Sequence, residues 1–156
     1  MSYRVFLSHN ALDVQWANWI AGQAKLVGIE VYLYEHDPQP GVPIAAKVQQ
    51  EIRSSDALVV LLTPVGQASP YVQQEIGYAE AAHLLIIPIV WPGVEVRSLA
   101  MLQGREYIPF DPANPAISLP TLLNALGKQK VNKESGQAIL ALALLVFGAI
   151  ALAGRK

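Results

Sequence analysis

Four short apolar runs, separated by segments of nearly equal length, constrain the fold of this 156-residue chain most strongly. The runs are Tyr3–Leu7, Ile29–Leu33, Ala57–Leu62 and Leu84–Trp91, and the segments between them are 21, 23 and 21 residues long. Each segment has room for one helix, and such spacing is typical of parallel βαβ units. We therefore predict an α/β fold with a central parallel sheet of about five strands, the weak fifth at Glu106–Ile108.

The segments between these runs are predicted to be amphipathic helices. Asn10 is a suitable N-cap for the first helix, and Gly28 is a suitable residue to end it. The core side of this helix is predicted to consist of Leu12, Trp16, Trp19, Ile20 and Val27. A second helix is predicted over residues 44–54, and a last short helix from Ser118 to near Gly127.

The composition excludes several classes of function. The net charge is −1 and the basic residues are scattered, so no nucleic-acid partner is expected. Cysteine is absent, which removes disulfides, thiolate metal sites and cysteine nucleophiles. His9, His36 and His83 lack the spacing of metal ligands, and the chain has no glycine-rich phosphate loop. We therefore expect neither a metal nor a bound cofactor.

The C-terminal stretch is predicted to cross a membrane. Residues 138–153 carry no charge and consist of Ala, Ile, Leu, Val, Phe and Gly, which is typical of a transmembrane helix. We assign this helix to residues 137–154, a polar linker to 128–136 and the folded domain to 1–127. Because the first strand follows Met1 and Ser2 without an apolar leader, we predict a single-pass membrane protein with a cytoplasmic domain. A buried terminal helix is the alternative.

Polar residues that follow the predicted strands mark a candidate site. Ser8 and His9 follow the first strand, the proline-rich loop Tyr34–Pro43 follows the second, and the segment before Glu75 follows the third. In open parallel sheets, ligands bind outside the carboxyl ends of the strands. These segments should therefore meet at one rim of the sheet.

Glu75 is the candidate acid at this rim. Ser69 and Pro70 are suited to begin a helix, as N-cap and first helical residue. The helical period places one apolar stripe on the buried side of this helix, made of Val72, Ile76, Ala79 and His83. Glu75 and Tyr71 then lie at the border of the stripe, where a carboxylate beside an aromatic ring can meet a ligand. The alternative is an ordinary solvated glutamate on a helix surface.

Several of these segments together resemble Toll/interleukin receptor (TIR) domains. The resemblance rests on Val5–His9, on the loop that contains Asp37 and Pro40–Gly41, on Ser55–Thr63 and on Ser69–Gly77. They occur in the order and at the flavodoxin-like spacing of that family. The resemblance implies a flavodoxin-like TIR fold over residues 1 to about 127.

The resemblance also implies an activity and the residues that perform it. Enzymatic TIR domains cleave the nicotinamide–ribose bond of NAD+ and release ADP-ribose or its cyclic isomers. By this resemblance Glu75 is the catalytic acid, and Tyr71, where those enzymes usually carry Trp, packs against the substrate. Ser8 and His9 would supply polar contacts, and Asp37 would contribute a contact from the loop.

The resemblance finally implies partners and a setting. NAD+ would be the substrate, identical chains would associate through TIR–TIR contacts, and the role would be prokaryotic immune defence or signalling. Two alternatives remain open. The domain could be a non-enzymatic scaffold that works by homotypic assembly through the loop Tyr34–Pro43, or a related enzyme that acts on other nucleosides through a glutamate.

Overall fold

A five-stranded parallel sheet forms the centre of the molecule. The computed structural model describes the backbone of residues 2–95, 102 and 104–153, with side chains up to residue 135. The strands run side by side in the order β2-β1-β3-β4-β5, which is the flavodoxin-like order. Their bounds are β1 (Tyr3–Ser8), β2 (Ile29–Tyr32), β3 (Ala57–Leu62), β4 (Leu85–Val90) and β5 (Ile108–Pro109). The α/β fold with a parallel sheet is thus confirmed.

Helices cover both faces of this sheet. They are α1 (Val14–Leu26), α2 (Ile44–Arg53), α3 (Pro70–Ala81) and α4 (Pro115–Ala153). Alternate residues of β3 enter different cores: Val59 packs with residues of α1 and α4, whereas Val60 packs with residues of α2 and α3. All six side chains of β3 are buried, which explains why this strand is a continuous apolar run.

Pro88 lies within β4 but marks neither an edge strand nor a bulge, which is where a proline in a strand is usually found. β4 lies inside the sheet, between β3 and β5, and Pro88 is paired in register with Val60. The carbonyl of Val90 accepts a hydrogen bond from the backbone N–H of Phe110. The backbone N–H and C=O groups of every second residue of β4, counted from Val90, therefore point toward β5. The backbone nitrogen of Pro88 points to this side too. Because β5 pairs with β4 only from Ile89 onward, no residue of β5 lies opposite Pro88, and its missing N–H costs the sheet no hydrogen bond.

Three predicted core residues are exposed. Leu12 lies in a short 3-10 turn (Ala11–Asp13) that precedes α1, so the helical phase used for the prediction does not apply, and it is 78% exposed. Val27 follows the last residue of α1 and is exposed as well. His83 follows the end of α3 with a left-handed φ of 56°, which turns its side chain away from the buried stripe to solvent.

The loop between β2 and α2 also differs from its prediction. Residues Tyr34–His36, predicted as part of a loop, form a short 3-10 helix. All three prolines of the loop come after this turn, so they do not interrupt it.

The last helix is longer than predicted. It begins at Pro115 rather than Ser118 and passes through Gly127, where it was expected to end. Residues 128–136, predicted as a polar linker, lie within it. Lys133 of this segment bonds to Asp56 and to the carbonyl of Ser2, so the helix stays attached to the domain beyond Gly127.

The predicted transmembrane segment is not tested by the structure. Over the residues whose side chains are described, no helix combines the length and the apolar character that crossing a membrane requires. Residues 137–154 fall outside that part of the chain, so the transmembrane assignment and the boundaries of the three predicted regions stay predictions.

Candidate functional site

A cavity of about 340 Å³ opens at the carboxyl edge of the sheet, where the polar segments after the strands were predicted to meet. Its walls come from the segment after β1, the turn after β2, the first half of α2 and one side of α3 with its N-cap. The lining residues are His9, Asn10, Ala11, Tyr34, Ile44, Ala45, Val48, Ser69, Tyr71, Gln74, Glu75 and Tyr78. The structure therefore brings His9, Tyr71 and Glu75 together at one site.

Glu75 is held in the cavity wall by the way α3 begins. Ser69 caps the helix, its hydroxyl accepting from the backbone N–H of Val72 at 3.5 Å, and Pro70 occupies the first turn. This start places Glu75 on the inner side of the helix next to Ile76, and the glutamate side chain is only 8% exposed. Glu75 is therefore not a solvated surface residue.

Burial changes the acidity of Glu75. Loss of hydration raises its pKa from 4.5 to about 7, because the charged carboxylate is less well solvated in the cavity wall than in water. The negative charge of Glu35 adds to this rise, and the Ser8 hydroxyl opposes it. Near neutral pH, Glu75 can therefore either hold or release a proton.

Ser8 and Glu75 have spare hydrogen-bonding capacity. Ser8 is fully buried at the end of β1, close enough to Glu75 for its hydroxyl to favour the ionised carboxylate. Among the described residues, neither Ser8 Oγ nor Glu75 Oε2 has a hydrogen-bond partner. A buried polar atom without a partner is costly, so a hydroxyl-bearing ligand that bonds to these atoms would be favoured.

Both ring nitrogens of His9 face oxygen acceptors. Nδ1 lies 3.0 Å from the carbonyl oxygen of Leu7, and Nε2 lies 2.6 Å from Oε1 of Glu35. This places a second carboxyl group behind the wall of the cavity. Oε2 of Glu35 is buried and has no hydrogen-bond partner in the described part of the chain.

Three tyrosines form the aromatic part of the wall. Tyr71 is 71% exposed and stands at the mouth, while Tyr34 and Tyr78 are partly buried. The pKa of Tyr34 is raised by burial and then by the charges of Glu35 and Glu75, so this ring lies close to both acids. The wall can therefore contact a flat ring and a positive charge at the same time.

Asp37 does not line the cavity. Its carboxylate accepts hydrogen bonds from the hydroxyl of Tyr32 at 2.9 Å and from the amide of Gln39 at 2.8 Å. Its backbone carbonyl accepts from Nζ of Lys47 at 2.6 Å. In this structure Asp37 fixes the loop after β2, and its predicted contact with a substrate stays a prediction.

Tyr34 and Glu35 belong to the loop that was predicted to lie at the rim, but neither was singled out as a site residue. Both lie directly after β2, at the edge where Ser8 and His9 were recognised, so their position after a strand was an available signal. Their roles depend on contacts with His9 and Glu75, which are distant in the sequence. Across the described residues, no group of three or more His, Asp or Glu side chains is placed to hold a metal ion.

The family follows from a comparison with known domains. The TIR domain family model matches residues 5–122, so the chain belongs to the TIR domain family. No curated protein matches the sequence.

Solved structures share the fold at low sequence identity. The TIR domain of the Toll-related receptor TRR-2 from Hydra magnipapillata is 20% identical, with a TM-score of 0.67 over 80% of this chain and 98% of that one. The TIR domains of the activated Roq1 resistosome, which recognises the pathogen effector XopQ, are 20% identical with a TM-score of 0.55. That match covers 66% of this chain and 65% of the Roq1 chain, less than two thirds of it.

An enzyme shares the fold as well. The CMP N-glycosidase BcmB of Clostridium botulinum is 20% identical, with a TM-score of 0.55 over 76% of this chain and 97% of that one. At 20% identity these likenesses establish the fold and do not by themselves assign an activity.

Proposed function

We propose that this TIR domain cleaves the nicotinamide–ribose bond of NAD+. The observation that carries the proposal is Glu75, a carboxyl group 8% exposed in the wall of a 340 Å³ cavity, with its pKa raised to about 7. An acid tuned in this way by its surroundings is typical of a catalytic site.

The charge of the substrate suits this acid. The nicotinamide ring of NAD+ is positive, so its binding next to Glu75 favours the ionised carboxylate. Cleavage moves positive charge onto the ribose as an oxocarbenium-like centre, while nicotinamide leaves as a neutral molecule with the bonding electron pair. The Glu75 carboxylate stabilises this centre, and no metal or cysteine is needed.

The cavity wall suits the nicotinamide–ribose end of the molecule. Tyr71 can pack against the ring, and Glu75 can bond to a ribose hydroxyl through its unpaired Oε2. Ser8 is fully buried and does not line the cavity, so its contact with the substrate stays a prediction. No Lys or Arg is among the residues that line the cavity. We therefore place the pyrophosphate and adenosine toward the mouth, outside the cavity.

Two products are compatible with this chemistry. If water adds to the ribose carbon and gives its proton to Glu75, the product is ADP-ribose. If a nitrogen of the adenine ring of the same molecule adds instead, the product is cyclic.

The test is nicotinamide release from NAD+ by the full chain, compared with Glu75→Gln, with the nucleotide products separated by chromatography. Glu80→Gln is the matched control, because Glu80 lies on the same helix but is bonded to Arg105 outside the cavity. Release should persist in the control and vanish in Glu75→Gln. If the protein released cytosine from CMP but no nicotinamide from NAD+, it would be a nucleotide glycosidase. If folded, concentrated protein cleaved neither NAD+ nor CMP, the result would favour the non-enzymatic scaffold.

We also propose that the chain acts as a homo-oligomer. Ile44 and Tyr71 line the cavity and are 60% and 71% exposed, and Val42, two residues before Ile44 in the loop after β2, is 44% exposed. Exposed apolar side chains grouped in this way are typical of an interaction surface. The specific rate of NAD+ cleavage should rise with protein concentration and fall in Val42→Asp; a rate independent of concentration would contradict assembly.

The cellular setting is a proposal as well. We propose membrane attachment through residues 137–154, a cytoplasmic domain, and a role in prokaryotic defence by consumption of NAD+. Removal of residues 137–156 should release the protein from the membrane fraction. Infected bacterial cells that express the chain should lose NAD+, and cells that express Glu75→Gln should not; equal NAD+ levels in both would contradict the defence role.

A further inference from the structure

Lys47 is a buried cation behind the wall of the cavity. It lies on α2 beside Val48, which lines the cavity, and it is only 9% exposed. A lysine is rarely buried to this extent unless an acidic group is paired with it. Within the described part of the chain Lys47 has no salt-bridge partner, so other contacts must hold its charge.

The ammonium group of Lys47 joins α2 to the segment after β2. Its Nζ donates to the backbone carbonyl of Asp37 at 2.6 Å and lies 5.5 Å from the centroid of the Tyr34 ring. A charged donor strengthens the first contact, and a cation over an aromatic face gains from the second. Tyr34 begins the short 3-10 helix after β2 and Asp37 is its C-cap. Lys47 therefore holds this short helix at both of its ends.

The Tyr34 side chain depends on this contact for its position. Tyr34 lines the same cavity as Glu75, and its ring packs at the border of the core between the sheet, α2 and α3. Among the described residues its hydroxyl makes no hydrogen bond that would fix the ring from the other end. The ring is thus placed by apolar packing and by the ammonium group of Lys47.

We propose that Lys47 is a positioning residue of this site: its ammonium group holds the Tyr34 ring and the segment after β2 against α2, and so keeps this wall of the cavity in place for the ligand. Lys47 acts through Tyr34, because it does not itself line the cavity. The proposal deepens the proposed function, since its rate measurement rests on cleavage of NAD+. Loss of the ammonium group should weaken substrate binding more than the chemical step, which depends on Glu75.

The test removes the charge and keeps an unbranched side chain. Lys47→Met places an apolar group in a buried position, so the melting temperature should not fall. The KM for NAD+ should rise about tenfold while kcat changes by less than about twofold, because the lost contact serves binding. Lys25→Met is the matched control, since Lys25 is an exposed lysine of α1 outside the cavity, and its KM should not change.

Restoring the ammonium group should restore binding. The chain contains no cysteine, so Lys47→Cys can be alkylated at this one position during refolding. Bromoethylamine adds an aminoethyl group, which gives a charged side chain of lysine length, whereas iodoethane adds an ethyl group without the charge. The KM of the aminoethyl adduct should approach the wild-type value, and the ethyl adduct should behave like Lys47→Met.

Amide exchange tests the same contact without any substrate. The N–H groups of His36 and Asp37 bond to the carbonyls of Leu33 and Tyr34 in the segment that Lys47 holds. Without the ammonium group this segment should open more often, so both amides should exchange about tenfold faster in Lys47→Met. A merely structural role would lower the melting temperature and leave the ratio of KM to kcat in place.

Each outcome decides one question. Wild-type exchange rates in folded Lys47→Met overturn the role of Lys47, and so does a rise in KM that the aminoethyl adduct does not reverse. If Lys47→Met does not fold, the NMR signals of the Lys47 ε-methylene in the wild-type chain decide instead. They should move when nicotinamide is added, and signals that stay in place overturn the role. Faster exchange in Lys47→Met without NAD+ cleavage by the wild-type chain overturns the proposed function and leaves this inference intact.

Discussion

At the scale of single residues, the cavity depends on a carboxyl group kept away from water. Glu75 is inside because α3 starts at Ser69 and Pro70, and a start one residue later would rotate the acid toward solvent. The burial that raises the pKa of Glu75 to about 7 also means that its ionised form lowers the free energy of unfolding. Its acidity and its effect on stability are therefore linked.

This linkage predicts a pH-dependent stability. Between pH 4.5 and about 7 the folded chain keeps the Glu75 proton that the unfolded chain has lost, so the free energy of unfolding falls as pH rises through this range. The loss relative to Glu75→Gln should approach about 3 kcal/mol above pH 7. Urea unfolding of both proteins across pH 4–8 measures it, and parallel curves would show that Glu75 is not buried in this way.

A second prediction concerns the turn between β3 and α3. The hydroxyl of Thr63 donates to Asp13 at 2.7 Å and accepts from the N–H of Gly66 at 2.8 Å, all in the interior. Thr63→Val should lower the free energy of unfolding by about 2 kcal/mol, because it leaves both partners unpaired. Thr63→Ser keeps the hydroxyl and should lose much less. Equal losses in urea unfolding would assign the effect to packing.

At this scale the sequence located Glu75, Ser8 and His9 but not Glu35. Glu75 was found because caps and helical period fix a side chain's direction relative to its own helix. Glu35 was not found, because its importance arises from a bond to His9, 26 residues away. Asp37 was assigned a contact by resemblance, whereas its carboxylate is engaged by Tyr32 in this structure.

At the scale of elements, the end of α3 contains a backbone strain that can be relieved. His83 adopts a φ of 56°, and its N–H and that of Leu84 close the helix on Glu80 and Ala79. Glycine is the usual residue at such a position. His83→Gly should therefore raise the stability by about 1 kcal/mol.

Ala82→Gly is the control for this prediction. Ala82 has a φ of −86°, so glycine relieves no strain there and should lower the stability through its larger unfolded-state entropy. Thermal unfolding followed by circular dichroism compares the two variants. A lower melting temperature in both would argue against strain at His83.

The first four strands were predictable and the full length of the last helix was not, for a physical reason. A strand covered on both faces must be apolar throughout, so β3 is visible as an uninterrupted run from Ala57 to Leu62. The path of α4 beyond Gly127 depends instead on polar contacts with Ser2 and Asp56, which no local pattern reveals. The exposed Leu12 shows the same limit, since the helical period does not apply to a 3-10 turn.

At the scale of the whole molecule, α4 holds together segments that are far apart in the sequence. Nζ of Lys133 lies 2.9 Å from Asp56, whose carboxylate also accepts from the backbone N–H of Arg4 at 2.8 Å. Lys133→Ala should cost about 1 kcal/mol and speed amide exchange in residues 128–135. Lys128→Ala, at an exposed position on the same helix, is the control. Unchanged exchange in Lys133→Ala would show that α4 is held by its apolar contacts alone.

The contacts of α4 with Ser2 and Asp56 lie where β1 and β3 begin, at the end of the sheet opposite the cavity. A bead, a fluorescent dye or a sensor surface coupled to α4 beside Lys133 would therefore sit behind the domain and leave the mouth of the cavity facing free solution. This part of α4 is where the protein can be immobilised without blocking small molecules from the site.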